Sequence, residues 1–193
     1  TWKNQQAVNV LPKPLQQPHP PIWMAVTSDE NVRRVAKTNF HVLGSGISTS
    51  RELGISYHEL YLQERKKAGF TDDRWSYALN RHLRVLRPGE DRETEWKRMT
   101  ARTRHTFRLA KRIRADSIRY DKGYVHPDPM DEEPSDEQLA EQALFGTCDE
   151  IVEQILRMND DFDITNMIVQ IDFGGAEREE IFDSIQRFGG EVI

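Results

Sequence analysis

The run Pro18-His19-Pro20-Pro21-Ile22-Trp23-Met24-Ala25-Val26-Thr27-Ser28-Asp29 sets the architecture of this chain. Pro18, Pro20 and Pro21 exclude a helix, because proline fixes φ, lacks an N–H and closes the α region to the residue before it. The five apolar residues from Ile22 to Val26 follow without a polar interruption. A run this short, bounded by proline and then by Thr27-Ser28-Asp29, fits a strand buried on both faces, as in a parallel sheet. Ser28 or Asp29 can cap a helix N-terminus. Val32, Val35 and Ala36 then recur at helical spacing. The stretch reads as a strand, a tight turn and a helix.

Upstream, Pro12 and Pro14 extend the proline-rich character, so residues 1–21 are expected to form an extended connector close to polyproline geometry. Downstream, Phe40-His41-Val42-Leu43 is a second short strand, ending in the turn-forming Gly44-Ser45-Gly46. From Ser50 to Lys67 the pattern is helical, with Leu53, Tyr57, Leu60 and Tyr61 on one face and Gly69 as a stop. Trp75 to Leu86 alternates with period two. Trp75, Tyr77, Leu79, Leu83 and Val85 share a face that Arg81 interrupts; Ser76, Ala78, Asn80, His82, Arg84 and Leu86 share the other. Pro88-Gly89 ends that strand, and a long helix follows from about Asp91 to Ile113. Trp96, Met99, Thr103, Phe107, Ala110 and Ile113 are expected to be its inner stripe.

Residues 115–140 carry Gly123, Pro127, Pro129, Pro134 and an acidic patch, and read as a long irregular excursion, lid-like or disordered. Thr147 and Glu150 stand three apart as a capping box, opening a helix with Ile151, Ile155 and Met158. A strand from Met167 to Phe173 stops at Gly174-Gly175. Ile181, Ile185 and Phe188 mark a last amphipathic helix. Strand followed by helix recurs four times. Such alternation means an α/β fold with a parallel sheet and right-handed crossovers. Four βα units suit either a small open sheet or half of an eightfold barrel, which takes ~250 residues.

The composition narrows the function classes. The 193 residues carry 27 Lys and Arg against 32 Asp and Glu, a net charge of −5, which argues against a dedicated nucleic-acid binder. Residues 92–119 nevertheless hold ten Lys or Arg against three acids. A nucleic-acid face there is weighed against neutralisation by the neighbouring acidic excursion. No apolar run approaches the roughly 20 residues of a membrane helix, and no signal peptide is visible. With one cysteine, Cys148, no internal disulfide can form, and a cytoplasmic location is expected. His19, His41, His58, His82, His105 and His126 show no metal-ligand spacing, so no metal is expected.

Three stretches together carry a resemblance. Pro12-Lys13-Pro14-Leu15-Gln16 with Pro18-His19-Pro20-Pro21-Ile22-Trp23, Ala25 and Thr27-Ser28 resembles the approach to the fifth strand in the bacterial luciferase-like flavin-dependent monooxygenases. Phe145-Gly146-Thr147-Cys148-Asp149-Glu150-Ile151 resembles that family's Gly-Thr-Pro-x-Glu helix start, with Cys148 where proline is usual. The last strand, Gly174-Gly175, and Ile185-Gln186-Arg187-Phe188 through Glu191-Val192 resemble its final βα unit. The resemblance implies one partial TIM-barrel domain over residues 1–193, the C-terminal half, with strands one to four preceding Thr1. It also implies a reduced flavin, FMN, that activates oxygen to oxidise an organic substrate. A separate flavin reductase would supply it, and the missing half-barrel or a second copy would complete the sheet. The fragment by itself is expected to be inactive.

The candidate site lies where strands end, the functional rim of a barrel. Free N–H groups and the helix dipole favour an anion at the turn after Val26. Thr27, Ser28 and Asn31 can add hydrogen bonds, and the resemblance implies that Ser28 binds the flavin phosphate. The competing reading makes Ser28 or Asp29 an ordinary helix cap. Arg81 either points into the barrel towards substrate or faces the helices. Gly44-Ser45-Gly46 is a loop beneath a ring system or a plain turn. Tyr120, Lys122, Tyr124 and His126 are the contents of a lid over the substrate, or of a solvated loop. Cys148 is a structural substitution, and catalytic residues are expected largely on the missing half. Two other functions stay open: a non-catalytic phosphate-ligand-binding module or subunit of a split barrel, and a deazaflavin-dependent oxidoreductase.

Overall fold

The proline-flanked apolar run does form a strand, and everything else is laid beside it in parallel. The computed structural model describes residues 11–38, 40–44, 46, 49–71, 75–113, 120, 121, 124–126 and 128–193. Strand β1 (Trp23–Ala25) pairs with β2 (His41–Leu43), and β2 with the long β3 (Tyr77–Val85). Helices α1 (Asp29–Ala36) and α2 (Arg51–Lys67) make the crossovers. After α3 (Arg92–Ile113) comes a small antiparallel hairpin of β4 (Tyr120–Asp121) and β5 (Tyr124–Val125). Then follow α4 (Asp136–Gln142), a short β6 (Leu144–Gly146), α5 (Cys148–Phe162), β7 (Asn166–Gln170) and α6 (Arg178–Arg187). The last helix ends in a wider turn at Phe188–Val192.

Strand β3 organises the sheet, because β2, β6 and β7 all pair with it in parallel. Backbone direction shows which edge each occupies. Gly44 donates to the Ala78 carbonyl and Leu86 to the Gly146 carbonyl, whereas Thr165 donates to the Tyr77 carbonyl. Residues of one parity point to one edge of a strand. Strands β2 and β6 therefore share one edge of β3, near its start and its end, and β7 takes the other. Among the described residues, β1, β6 and β7 each leave one edge without a partner strand.

Register also separates the two faces. Met24, Val42, Tyr77, Leu79, Leu83, Leu144, Met167 and Val169 join one core with Val32, Val35, Tyr57, Tyr61, Ile151, Met158 and Phe162. That face meets the helix layer of α1, α2 and α5. It is the face expected to point into a barrel, and the structure turns it the other way. A period-two pattern distinguishes two faces but does not say which one the helices cover. Arg81 therefore lies on the helix side, the second of the two orientations left open by the sequence.

The opposite face is half-covered. Trp23 leans on the His41 ring at 4.8 Å and stays 40% exposed; Ile168 is 45% exposed. At the upper end of β3 it is sealed by a second cluster of Leu86, Met99, Ala143, Phe145 and Phe173 with Trp96 against it.

Other boundaries moved for local reasons. Strand β7 ends at Gln170, because Phe173 leaves the sheet to join the second cluster. The acidic excursion holds a helix: Ser135 and Gln138 form a capping box that starts α4 inside the acidic patch. The inner stripe of α3 is buried at Met99 and Thr103, but Ala110 and Ile113 are exposed, so the stripe fails in the last turns. There α3 packs against the excursion through charge instead. Arg108 binds Glu133 at 2.7 Å, Arg104 binds Asp136 and the Pro134 carbonyl, and Arg112 donates to the Asp128 carbonyl. The described part of residues 115–140 is thus strapped along α3, which neutralises these arginines. Tyr120 and Tyr124 lie in the hairpin backbone, and Lys122 lies outside the described residues. Residues 1–10 of the connector also lie outside them; His19, further along, meets Phe40 edge-on at 5.6 Å. No described helix is long and apolar enough to cross a membrane.

Candidate functional site at the strand ends

The carboxyl ends of the parallel strands form one rim, and the β1–α1 turn lies on it. Val26 continues the β1 pairing by donating to the Leu43 carbonyl at 3.1 Å, and Thr27 then leaves the sheet. Tyr57 of α2 holds the turn, its hydroxyl donating to the Thr27 carbonyl at 3.3 Å. Ser28 is the N-cap of α1, with extended backbone and its Oγ accepting from the Asn31 N–H. That bond is long, 3.4 Å, and nothing returns it, because the third helical position is Asn31 and not a glutamate. The Asn31 side-chain oxygen instead accepts from Arg34 at 3.1 Å.

The structure thus brings Thr27, Ser28 and Asn31 together within one turn. Thr27 is exposed, and Ser28 and Asn31 are partly so. The first N–H groups of any helix lack intrahelical partners and attract an oxyanion. The local charge opposes this: Asp29 and Glu30 occupy the first turn of α1. Basic residues of α1 stand in its last turn, as Arg33 and Arg34. A phosphate here would be held by hydrogen bonds, with little help from counter-charge. The donor set fits a phosphate on that condition.

Gly44 has its own structural reason. A Cβ there would meet the Tyr77 ring at 2.5 Å, so glycine is needed for Tyr77 to reach the core. Ser45 lies outside the described residues.

Arg81 is nearly fully buried, beneath α2, α4 and α5. It donates to the Asn80 carbonyl at 2.9 Å and shares a narrow cleft with Arg51, Glu141, Gln142, Arg157 and Asp161. Burial pulls its pKa down to about 10, which leaves it charged at neutral pH. Arg51 and Asp161 pair across this cleft, the Arg51 Nε donating at 2.6 Å. A substrate contact by Arg81 would require a ligand to enter between these helices.

The upper end of β3 carries a polar group that the sequence reading left unassigned. His82 is buried, stacked on Phe173 at 4.0 Å, with Nδ1 2.9 Å from the Thr103 hydroxyl. Burial lowers its pKa to about 4, against a weaker upward pull from Gln170. Arg84 is buried among Glu90, Glu95 and Glu180, at 2.8, 3.1 and 3.3 Å. The signal was present as polar residues alternating along β3. Their burial was not legible, because it depends on α3 and α6 folding over that end of the strand.

A second helix start sits beside this corner. Thr147 accepts from the Glu150 N–H, and the Glu150 carboxylate returns a bond to the Thr147 N–H at 2.8 Å. Arg92 grips the same carboxylate with bonds of 2.8 and 2.9 Å, which holds it below the usual carboxylate range. Cys148 follows at the first helical position, with Sγ 3.4 Å from Glu191; burial and that carboxylate raise its pKa.

A family model described as luciferase-like monooxygenase matches residues 2–162. No curated protein matches the chain. Among solved structures, monooxygenase RslO1 from Streptomyces bottropensis superposes with a TM-score of 0.68 at 21% identity, over 92% of this chain and 49% of the other. The oxygenating constituent of 3,6-diketocamphane monooxygenase from Pseudomonas putida, a type II Baeyer-Villiger enzyme in complex with FMN, gives 0.54 at 18%, over 90% and 48%. An F420-dependent secondary alcohol dehydrogenase, in complex with an F420–acetone adduct, gives 0.56 at 12%, over 90% and 48%. At these identities the likeness is one of fold, a parallel sheet and helices as in a segment of a barrel. The chain spans about half the length of these three structures.

Proposed function

Because the chain belongs to the luciferase-like monooxygenase family, we propose that it forms the flavin-phosphate end of a flavin-dependent monooxygenase barrel acting on a small organic molecule. The observation that carries this reading is the β1–α1 turn, where Thr27, Ser28 and Asn31 stand at an open helix start on the strand-end rim. The Thr27 and Ser28 hydroxyls and the Asn31 side chain would hold the phosphate of FMN. When bound, reduced FMN supplies the electrons that activate oxygen for oxidation of the substrate. The chain's own work is to fix the phosphate at a rigid turn, braced by Tyr57 on the Thr27 carbonyl, so that the cofactor is oriented along the rim. The open edges of β1 and β7 support completion of the sheet by further strands, from a longer barrel or from a second copy. A separate reductase would supply the reduced flavin.

A deazaflavin presents a phosphate in the same way, and the F420-dependent neighbour keeps that cofactor as the second reading. The test is titration of the protein with FMN and, separately, with F420, comparing the wild type with Ser28→Asp. Aspartate caps a helix as well as serine does, so folding should be unaffected. Its charge repels phosphate, and affinity should fall at least about tenfold. Saturable binding unaltered by Ser28→Asp would overturn the assignment of this turn.

A further inference from the structure

A cleft of about 570 Å³ opens between the start of α3, the end of α4, β6 and the middle of α5. That is the size of a small-molecule pocket, typically ~300–1,000 Å³. Its residues are not those of the β1–α1 turn.

Its walls are aromatic and small. The Trp96 and Phe145 rings pack against each other, 5.0 Å apart and tilted by 59°, and form a bent aromatic wall. Ala140 and Ala143 face the same space and leave room in it. The Arg92 guanidinium lies 5.5 Å from the centre of the Phe145 ring and adds a flat surface.

The charges around the cleft are already matched. Arg92 is committed to Glu150 by two bonds, Glu93 to Lys97 at 2.6 Å, and Asp91 to the hydroxyl and N–H of Thr94. Gln154, also in the wall, spends its amide on the Phe145 backbone, accepting from its N–H at 3.0 Å and donating to its carbonyl at 2.9 Å. This closes the free edge of β6 and holds the Phe145 backbone in place. A charged ligand would lose its hydration and find no free counter-charge. An uncharged flat molecule would bury apolar area against Trp96 and Phe145 with no such loss.

We propose that this cleft binds a neutral, planar aromatic molecule of about two fused rings. The inference does not rest on the flavin reading.

The probe is 1-naphthol, with 1-naphthoate as its anionic twin, followed by amide and indole N–H shifts in two-dimensional NMR. Saturable shifts are expected at the Trp96 indole and the Phe145 amide, with naphthoate at least tenfold weaker. Ala140→Trp, at an exposed helix position, should fill the cleft and abolish the shifts while the remaining spectrum stays folded. Trp96→Leu should weaken binding at least fivefold, and decides the matter if Ala140→Trp perturbs the fold. Absence of saturable shifts at Trp96 and Phe145, equal binding of naphthoate, shifts that survive in folded Ala140→Trp, or unweakened binding by folded Trp96→Leu would each overturn the proposal.

Discussion

Two helix starts lie on the strand-end side of this protein, and they are built in opposite ways. At α5, Thr147 and Glu150 satisfy each other, Arg92 clamps the glutamate, and Gly146 lies so close that a side chain would strike it. At α1, Ser28 Oγ accepts from the Asn31 N–H at 3.4 Å, as Thr147 Oγ1 accepts from the Glu150 N–H, but the Asn31 side chain returns no bond to Ser28. Both follow a parallel strand, and both are capped by a hydroxyl. The difference lies three residues on, where a glutamate closes the first and an asparagine leaves the second open. A closed start is a structural joint; an open one has N–H groups to offer a ligand.

The sharpest way to break the closed corner is Gly146→Ala. Gly146 has φ of +145°, and a Cβ would collide with Glu150. The change should cost about 3 kcal/mol, read as a lower urea midpoint, and should leave FMN affinity at the α1 turn unchanged.

Acid should loosen the same corner. The His82 pKa is about 4 in the folded protein against 6.5 as its ordinary value. Between these values the unfolded chain binds a proton that the folded one refuses. Stability therefore falls as pH drops from about 6.5 towards 4. From pH 7 to pH 5 the His82 contribution is about 2 kcal/mol. His82→Gln should remove that part of the slope in urea melts at the two pH values; an unchanged slope would assign it elsewhere.

Alanine at the two caps makes a direct contrast. Thr147→Ala should destabilise by about 1–2 kcal/mol and Ser28→Ala by about 0.5–1 kcal/mol, since only the first breaks a reciprocal pair. Thermal melts of both variants check the order. The smallest effect expected is at Cys148→Pro. The first helical position needs no N–H and suits proline, so stability should change by less than about 0.5 kcal/mol, at the cost of the contact with Glu191.

Much of the fold was legible because its signals are local. Prolines before Ile22, apolar runs at β1 and β2, helical spacing at Val32, Val35 and Ala36, and the Thr147–Glu150 box each act within a few residues. The structure has these elements as read, except that β1 is not buried on both faces, since Trp23 and Ala25 are exposed. The grouping of Thr27, Ser28 and Asn31 was legible for the same reason, since a turn brings neighbours together. Residues 115–140 were less so, because α4 is held by a short capping box and by arginines of α3 more than twenty residues away.

Sequence by itself determined β1, β2, β3 and β7, the helices that follow them, their parallel pairing, and the starts of α1 and α5; it did not show β6, the β4–β5 hairpin or α4. Those follow from backbone chemistry and periodicity over short spans. Only the tertiary structure decided which face of β3 meets the helices, and so placed Arg81 under α2 and α5 and buried His82 and Arg84 beneath α3 and α6. An alternating strand is symmetric in its pattern. The side that each face meets is set by long-range packing, which no local run of residues encodes.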